Sequence, residues 1–377
     1  MKIGIDISML VYAGSGVATY TTSLVKALLR KYPDHSYHLF YSSLRRPKNF
    51  HQLEEFEQMG AHVHAFRFPP RVLAYLWNRH MMLPVEWLIG KVDVYHSSDF
   101  LRPPLLSDTI GITTLHDLTW KLFPEYHTDD IVKAHEKKLD RTITNDDIIL
   151  TDSQNTKKDL LKIYPEIKTQ NEVHVLPLGI DSQYKKISDI TKLKSVLKKY
   201  DIAYGKKYIL YVGAIEPRKN VDRSIRVFAK LVKEKVYEDM EYLIVGRAGW
   251  KNEEVFQTIT ELNLQKKVRF VGFVATEDLP FVYNGAHALM YLSSYEGFGL
   301  PPLEATACGI PTLLYKNSSL KEIMPADYPF AEEKKEVETL KLLLKKGKQE
   351  VAKIHIPDWN TYADRFIEIL KQKMSSS

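Results

Sequence analysis

The chain is expected to be α/β, built from two Rossmann-like halves that each wind a parallel sheet with helices. Three observations predict this. Its 377 residues are too many for one ordinary core and suit two domains. Short apolar runs alternate with helical patterns from end to end. Two glycine-containing loops, each leaving an apolar run and entering a helical stretch, stand at corresponding places near Gly14 and Gly213.

In the first half the apolar runs predict strands at 3–5, 37–41, 62–66, 92–96, 111–115, 148–151 and 172–176. Helices are expected between them, including 16–32 and 129–144. The stretch from 182 to about 207 is charged and carries no buried-strand pattern, so the boundary is placed just before it. Residues 1–178 then form the first domain and 179–357 the second. In the second half, strands are expected at 208–212, 241–245, 268–271, 288–292 and 311–314. The helices between include 221–235, 252–262 and 276–284, with Thr276 as the N-cap of the last.

Composition narrows the function classes. With 44% hydrophobic and 27% charged residues the chain suits a globular, soluble protein. Met1-Lys2-Ile3 leads straight into a strand pattern, and no apolar run approaches the roughly 18 residues that cross a bilayer. A cytoplasmic location is expected, and the single Cys308 suits a reducing compartment. Cys308 itself reads as a packing residue. The formal charge is +6; residues 1–180 balance, so the excess lies in the second half. Nucleic acid is not an expected partner, because no dense basic stripe with interleaved aromatics is present. Thirteen histidines form no His-x-x-x-His or Cys/His pattern, so no metal site is expected.

The most informative stretch runs Glu296-Gly297-Phe298-Gly299-Leu300-Pro301-Pro302-Leu303-Glu304. An apolar run precedes it, and the two prolines favour a helix start that Gly309 and Pro311 end. Glu296 is expected on a strand-end loop and Glu304 in the first helical turn. Gly297 and Gly299 let backbone approach a ligand, and the helix start offers unpaired amides to an anion. Such a place suits a polyol beside a phosphate, although an acid in a first turn is also an ordinary dipole partner.

The counterpart loop is Gly213-Ala214-Ile215-Glu216-Pro217-Arg218-Lys219-Asn220. Arg218 offers a bidentate fork and Lys219 a mobile point charge, which together suggest a diphosphate clamp. Two solvated charges at a helix start are the plain alternative. Gly14-Ser15-Gly16 follows the first strand but fails as a dinucleotide fingerprint. Thr19 stands where a third glycine belongs, and the second strand ends in Ser42-Ser43 instead of an acid. NAD is therefore not expected. Residues 66–84 mix bases, aromatics and apolar side chains, and with Arg45, Arg46 and Lys48 they could form a basic, apolar lip.

Ser294 to Ala305, continued by Ala307-Cys308-Gly309-Ile310-Pro311, closely resembles the signature of family 4 glycosyltransferases. These are retaining enzymes of the GT-B fold, marked by two glutamates with seven residues between them. The resemblance implies two Rossmann-like domains facing a central cleft. Its last helix, about 358–377 here, crosses back to the first domain. It also implies a nucleotide-diphospho-sugar as co-substrate, with no separate cofactor and no metal. Arg218 and Lys219 would hold the diphosphate and Glu304 the ribose. Glu296 would orient the sugar with the amides of Phe298, Gly299 and Leu300, beside Gly297. Residues 271–274, with Phe273, would flank the base. Gly14 and Gly16 would face the donor phosphates or the acceptor. His116, closing the strand at 111–115, is the leading catalytic residue of the first domain, alongside Glu296, Arg218 and Lys219; His96 is a second cleft candidate. Arg247 either assists the diphosphate or is surface. One departure stands out: many relatives carry Arg directly after the strand-end glycine, where this chain has Ala214.

Within the family, Leu115-His116-Asp117-Leu118-Thr119, Phe123-Pro124-Glu125-Tyr126-His127 and Glu216-Pro217-Arg218-Lys219-Asn220 resemble mannosyltransferase-like enzymes of surface-polysaccharide synthesis. The resemblance thus implies a hexosyltransferase using a donor such as GDP-mannose. The acceptor would be a saccharide or lipid-linked hydroxyl; separately, the basic, apolar lip over 66–84 could meet a lipid-diphosphate acceptor or an anionic surface and hold the protein peripherally at the inner membrane face. The alternatives are a nucleotide-sugar epimerase, a phosphorylase-type GT-B enzyme, or a non-catalytic partner subunit.

Overall fold

The computed structural model describes residues 1–12, 14–44, 51–98, 100–247, 249, 253–350, 354 and 356–376. The chain divides into two compact units, Met1–Gly179 with Pro357–Ser377, and Ile180–Ile356.

The first unit is built on a seven-stranded parallel sheet in the order β3-β2-β1-β4-β5-β6-β7. Its strands are β1 (Lys2–Asp6), β2 (Ser36–Ser42), β3 (His62–Phe66), β4 (Val94–Ser97), β5 (Ile110–Leu115), β6 (Ile148–Thr151) and β7 (Val173–Val175). The strand order reverses between β1 and β4, and an open α/β sheet offers its ligand crevice at such a point. Helix α1 (Gly16–Lys31) starts there, its N-cap Ser15 accepting a hydrogen bond from the Ala18 amide at 3.2 Å. Gly4 of β1 is glycine for lack of room: a Cβ would stand 2.6 Å from the Tyr95 ring.

The last helix, α6 (Trp359–Ser376), belongs to this unit and packs along α1. Asp364 on α6 accepts from Tyr32 Oη at 2.6 Å and from Lys31 Nζ at 2.5 Å. Helix α2 (Asp129–Thr144) follows β5 in sequence, and beside β5 the Arg102–Asp147 pair is buried with a 2.5 Å contact, Asp147 also accepting from Thr113.

The second unit holds a five-stranded parallel sheet in the order β10-β9-β8-β11-β12. Its strands are β8 (Tyr208–Val212), β9 (Glu241–Val245), β10 (Val268–Gly272), β11 (Ala288–Tyr291) and β12 (Thr312–Leu314). Here the reversal falls between β8 and β11, whose carboxyl ends release the two loops singled out above. Tyrosines fill much of this core: Tyr208, Tyr211, Tyr242, Tyr283 and Tyr291 are fully buried. A buried phenol needs a partner, and Tyr208 Oη donates to Val282 O at 2.6 Å, Tyr211 Oη to Ala214 O at 2.8 Å.

Several expectations change. The charged segment after the boundary contains a helix, α3 (Ile190–Lys199), capped by Asp189 and burying Leu193, Val196 and Leu197. Thr276 is not an N-cap: the helix starts at Leu279, because Pro280 suits a first-turn position and Asp278 stands at the cap. The helix expected over 221–235 is α4 (Val221–Leu231) and stops earlier. The 66–84 stretch divides by burial, with Leu73 and Trp77 in the core while Val72, Tyr75 and Met82 are exposed. Arg45, Arg46, Lys48, Trp250 and the side chains of Arg71 and Arg79 lie outside the described residues.

Candidate functional site

Each of the two loops leaving β8 and β11 is shaped by one backbone device. Asn220 adopts a left-handed conformation, φ 50°, which turns the chain from the short helical turn Pro217–Lys219 into α4. Its Nδ2 then donates to Leu292 O at 2.9 Å, fastening one loop to the other. On the other side Gly299, φ 111°, is the N-cap of α5 (Leu300–Ala307). A Cβ at Gly299 would also meet Leu320 at 2.9 Å and Ile323 at 3.0 Å.

This arrangement brings Arg218, Lys219 and Glu296 together. Lys219 Nζ lies 2.5 Å from Glu296 Oε1 and 2.8 Å from Tyr291 Oη. Arg218 Nη1 donates to Glu296 Oε2 at 3.0 Å and to Tyr295 O at 3.2 Å, while its Nε donates to Glu216 Oε2 at 3.1 Å. Glu296 and Lys219 are both buried. Burial raises the Glu296 pKa, but Lys219 and Arg218 outweigh it and hold the carboxyl at about 2. Lys219 is lowered by burial and by Arg218, against the pull of Glu296. Each cation of the expected diphosphate clamp therefore already has a carboxylate partner, and Glu216 is a member that sequence reasoning missed.

Glu304 sits differently from expectation. Helix α5 begins at Leu300, so Glu304 is past the first turn and no acid lies in that turn. Gly299 in its left-handed conformation starts the helix one residue ahead of the prolines, which moves the acid onward. Glu304 is buried and accepts from Tyr283 Oη at 2.8 Å, with Tyr184 as a second phenol partner. Burial raises its pKa to about 7 against both phenols. Gly297 and Phe298 are buried, Leu300 is half-buried, and Phe273, after β10, is exposed. Arg247 is exposed, and its carbonyl accepts from the Ile215 amide at 3.2 Å.

In the first unit His116 follows β5, and its Nδ1 lies 2.7 Å from Asp152 Oδ2. Tyr20 of α1 meets the imidazole edge-on, ring centres 4.7 Å apart. Burial raises the Asp152 pKa while His116 opposes it. Asp152 was missed because the pairing of two strands is not written in the pattern along either one. Leu115 pairs with Thr151, so the residues just past two neighbouring strand ends must adjoin. His96 is fully buried and 2.9 Å from Thr114 Oγ1; burial and then Lys138 lower its pKa to about 3, so it is neutral. Gly16 opens α1, with open space where a Cβ would be. Among the described residues no cluster of three His, Cys, Asp or Glu could hold a metal ion.

Two family models match the chain: "Glycosyltransferase Family 4" over residues 14–184 and "Glycosyl transferases group 1" over 192–353. O-antigen chain mannosyltransferase B of Escherichia coli is 30% identical over 339 residues, covering 86% of this chain and 84% of that protein. Among solved structures, sucrose-phosphate synthase from Thermosynechococcus elongatus covers 100% of both chains at TM-score 0.72 and 16% identity. Anabaena HepE in complex with UDP and glucose covers 98% of this chain and 99% of its own, at TM-score 0.66 and 16% identity.

Proposed function

Because the chain belongs to glycosyltransferase family 4, with the GT-B fold, we propose that it carries mannose from a nucleoside-diphosphate sugar to a hydroxyl on a saccharide or lipid-linked acceptor during surface-glycan synthesis. The similarity to an O-antigen chain mannosyltransferase supports the sugar and the setting. A structural relative solved with UDP and glucose supports a nucleotide-sugar donor.

The observation that carries the proposal is the convergence of Arg218, Lys219 and Glu296 where the strand order reverses in the second unit. Breaking the bond between the anomeric carbon and the diphosphate leaves negative charge on the departing oxygen. Preorganised cations are most effective where charge develops. Arg218 presents its guanidinium fork, Lys219 a buried ammonium, and the amides of Gly299 and Leu300 add donors at the start of α5, where Pro301 and Pro302 carry no N–H. These groups supply the positive charge in the proposal, which calls for no metal. Glu296 orients sugar hydroxyls, and Glu304 accepts from the ribose once a tyrosine partner yields. Exposed Phe273 offers a ring beside the base. The acceptor attacks on the face that the diphosphate leaves, so the anomeric configuration is retained. His116, aligned by Asp152, serves the transfer step and not donor binding.

Among the described residues no helix is long and apolar enough to cross a membrane. Exposed Val72, Tyr75, Met82 and Trp87, with the exposed base Arg67 nearby in sequence, support a peripheral contact with an anionic lipid surface. Calorimetric titration with a panel of nucleoside diphosphates and their sugars tests the donor proposal. Binding of none by the wild-type protein, or undiminished binding by both Lys219→Ala and Glu304→Ala, would overturn it.

A further inference from the structure

The loop that carries Glu296 has a second support, outside every motif discussed so far. After β12 the chain reads Asn317-Ser318-Ser319, three polar residues that look like an ordinary turn. All three aim side chains at the backbone of that loop. Asn317 Nδ2 donates to Ser293 O at 3.0 Å and to Ser294 O at 3.1 Å. Ser318 Oγ accepts from the Glu296 amide at 3.0 Å. Ser319 Oγ, buried, lies 2.8 Å from both Glu296 O and Phe298 O and shares its single proton between the two carbonyls. Main-chain groups of Ser293, Ser294, Glu296 and Phe298 are thus read by three consecutive side chains.

Ser318 stands at φ 39°, in the left-handed region that a serine rarely takes. A conformation of that kind persists where the surroundings impose it, and such positions cluster at functional sites. Here the turned backbone aims Ser318 Oγ at the Glu296 amide while its neighbour Ser319 reaches the carbonyl of the same residue. Main-chain donor and acceptor of Glu296 are both fixed from one segment, which sets the direction of the carboxylate held by Arg218 and Lys219.

We propose that Asn317, Ser318 and Ser319 form a template for the Glu296–Gly299 loop, with Ser318 and Ser319 as positioning residues for donor binding. The proposal rests on the donor-site reading above. Neither serine touches donor in it; both act through the backbone of the loop.

The test measures affinity for whichever nucleoside diphosphate the wild type binds, well below the unfolding midpoint, together with that midpoint. Ser318→Gly relieves the backbone conformation but removes the acceptor for the Glu296 amide. It should remain folded while losing roughly tenfold in affinity, the loss of one or two hydrogen bonds in orientation. Ser318→Asn should restore affinity, because asparagine accepts left-handed backbone and carries an acceptor oxygen. Ser319→Ala should weaken binding similarly, raising KM for the sugar donor more than it lowers kcat. Wild-type affinity in folded Ser318→Gly would overturn the template. Should that variant not fold, wild-type affinity in Ser319→Ala overturns it instead. Absence of binding in the wild type itself would bring down the donor site, and the template with it.

Discussion

Lys219 and Glu296 are buried against each other, Nζ to Oε1 at 2.5 Å, in the place where a donor diphosphate is proposed to bind. Removing one partner of a buried pair leaves an uncompensated charge, at a cost of about 3–5 kcal/mol. Glu296→Ala should destabilise the second unit by the lower end of that range, since Glu216 still neutralises Arg218 in part. Chemical denaturation measures this. Added nucleoside diphosphate should recover more stability in Glu296→Ala than in the wild type, because the anion replaces the missing carboxylate.

Glu216 holds the Nε of Arg218 at 3.1 Å and therefore competes with any incoming anion for the same guanidinium. Glu216→Gln is expected to tighten nucleoside diphosphate binding by about three- to tenfold at low salt, an effect of roughly 1 kcal/mol. The gain should shrink as salt rises. Titration calorimetry at two ionic strengths checks both parts.

Glu304 gives a stability signature with a definite sign. Its pKa rises from an ordinary 4.5 to about 7 on folding, so between those values the folded state binds more protons than the unfolded. Stability must then fall as pH rises from about 4.5 through 7, by roughly 2–3 kcal/mol from this group alone. His96 and His135, both lowered to about 3 mainly by burial, act oppositely below pH 6.5. The difference between wild-type and Glu304→Gln unfolding curves across pH 5–8 isolates the glutamate. A flat difference would show that Glu304 does not change its proton occupancy on folding.

His116→Ala should bind donor normally and lose transfer. Asp152→Asn should bind donor normally too, with turnover reduced by roughly ten- to hundredfold because the imidazole loses its orienting carboxylate. Turnover with the native acceptor extract, beside donor titration, separates the two steps; unchanged turnover in His116→Ala would remove that histidine from the mechanism.

Both sheets were legible in the sequence because their strands are short, apolar and bounded by turn residues. Every expected strand overlaps an observed one, with ends shifted by a residue or two, as at β7. The contact between Lys219 and Glu296 was not legible. It depends on β8 lying beside β11, a matter of strand order that periodicity along one strand does not encode. In sequence the two cations suit the diphosphate and Glu296 the sugar, and nothing in the pattern says that they meet. Glu304 was expected in the first turn because Pro301 looked like the helix start; Gly299 caps the helix one residue earlier, which puts the acid just past that turn. Asn317 to Ser319 left no sequence signal: three small polar residues after a strand read as solvent-facing loop, and only their side-chain directions reveal otherwise.

The chain leaves the first unit at Gly179 and re-enters it at Pro357, so residues Ile180–Ile356 are an insertion with both ends anchored in one host. A single proteolytic nick at either junction would leave the two bodies covalently joined through the other. The same topology makes the inserted body an exchangeable cassette. Cutting at those two junctions and grafting the corresponding stretch of a relative would, on the donor-site proposal, transplant nucleotide preference while leaving the first unit in place.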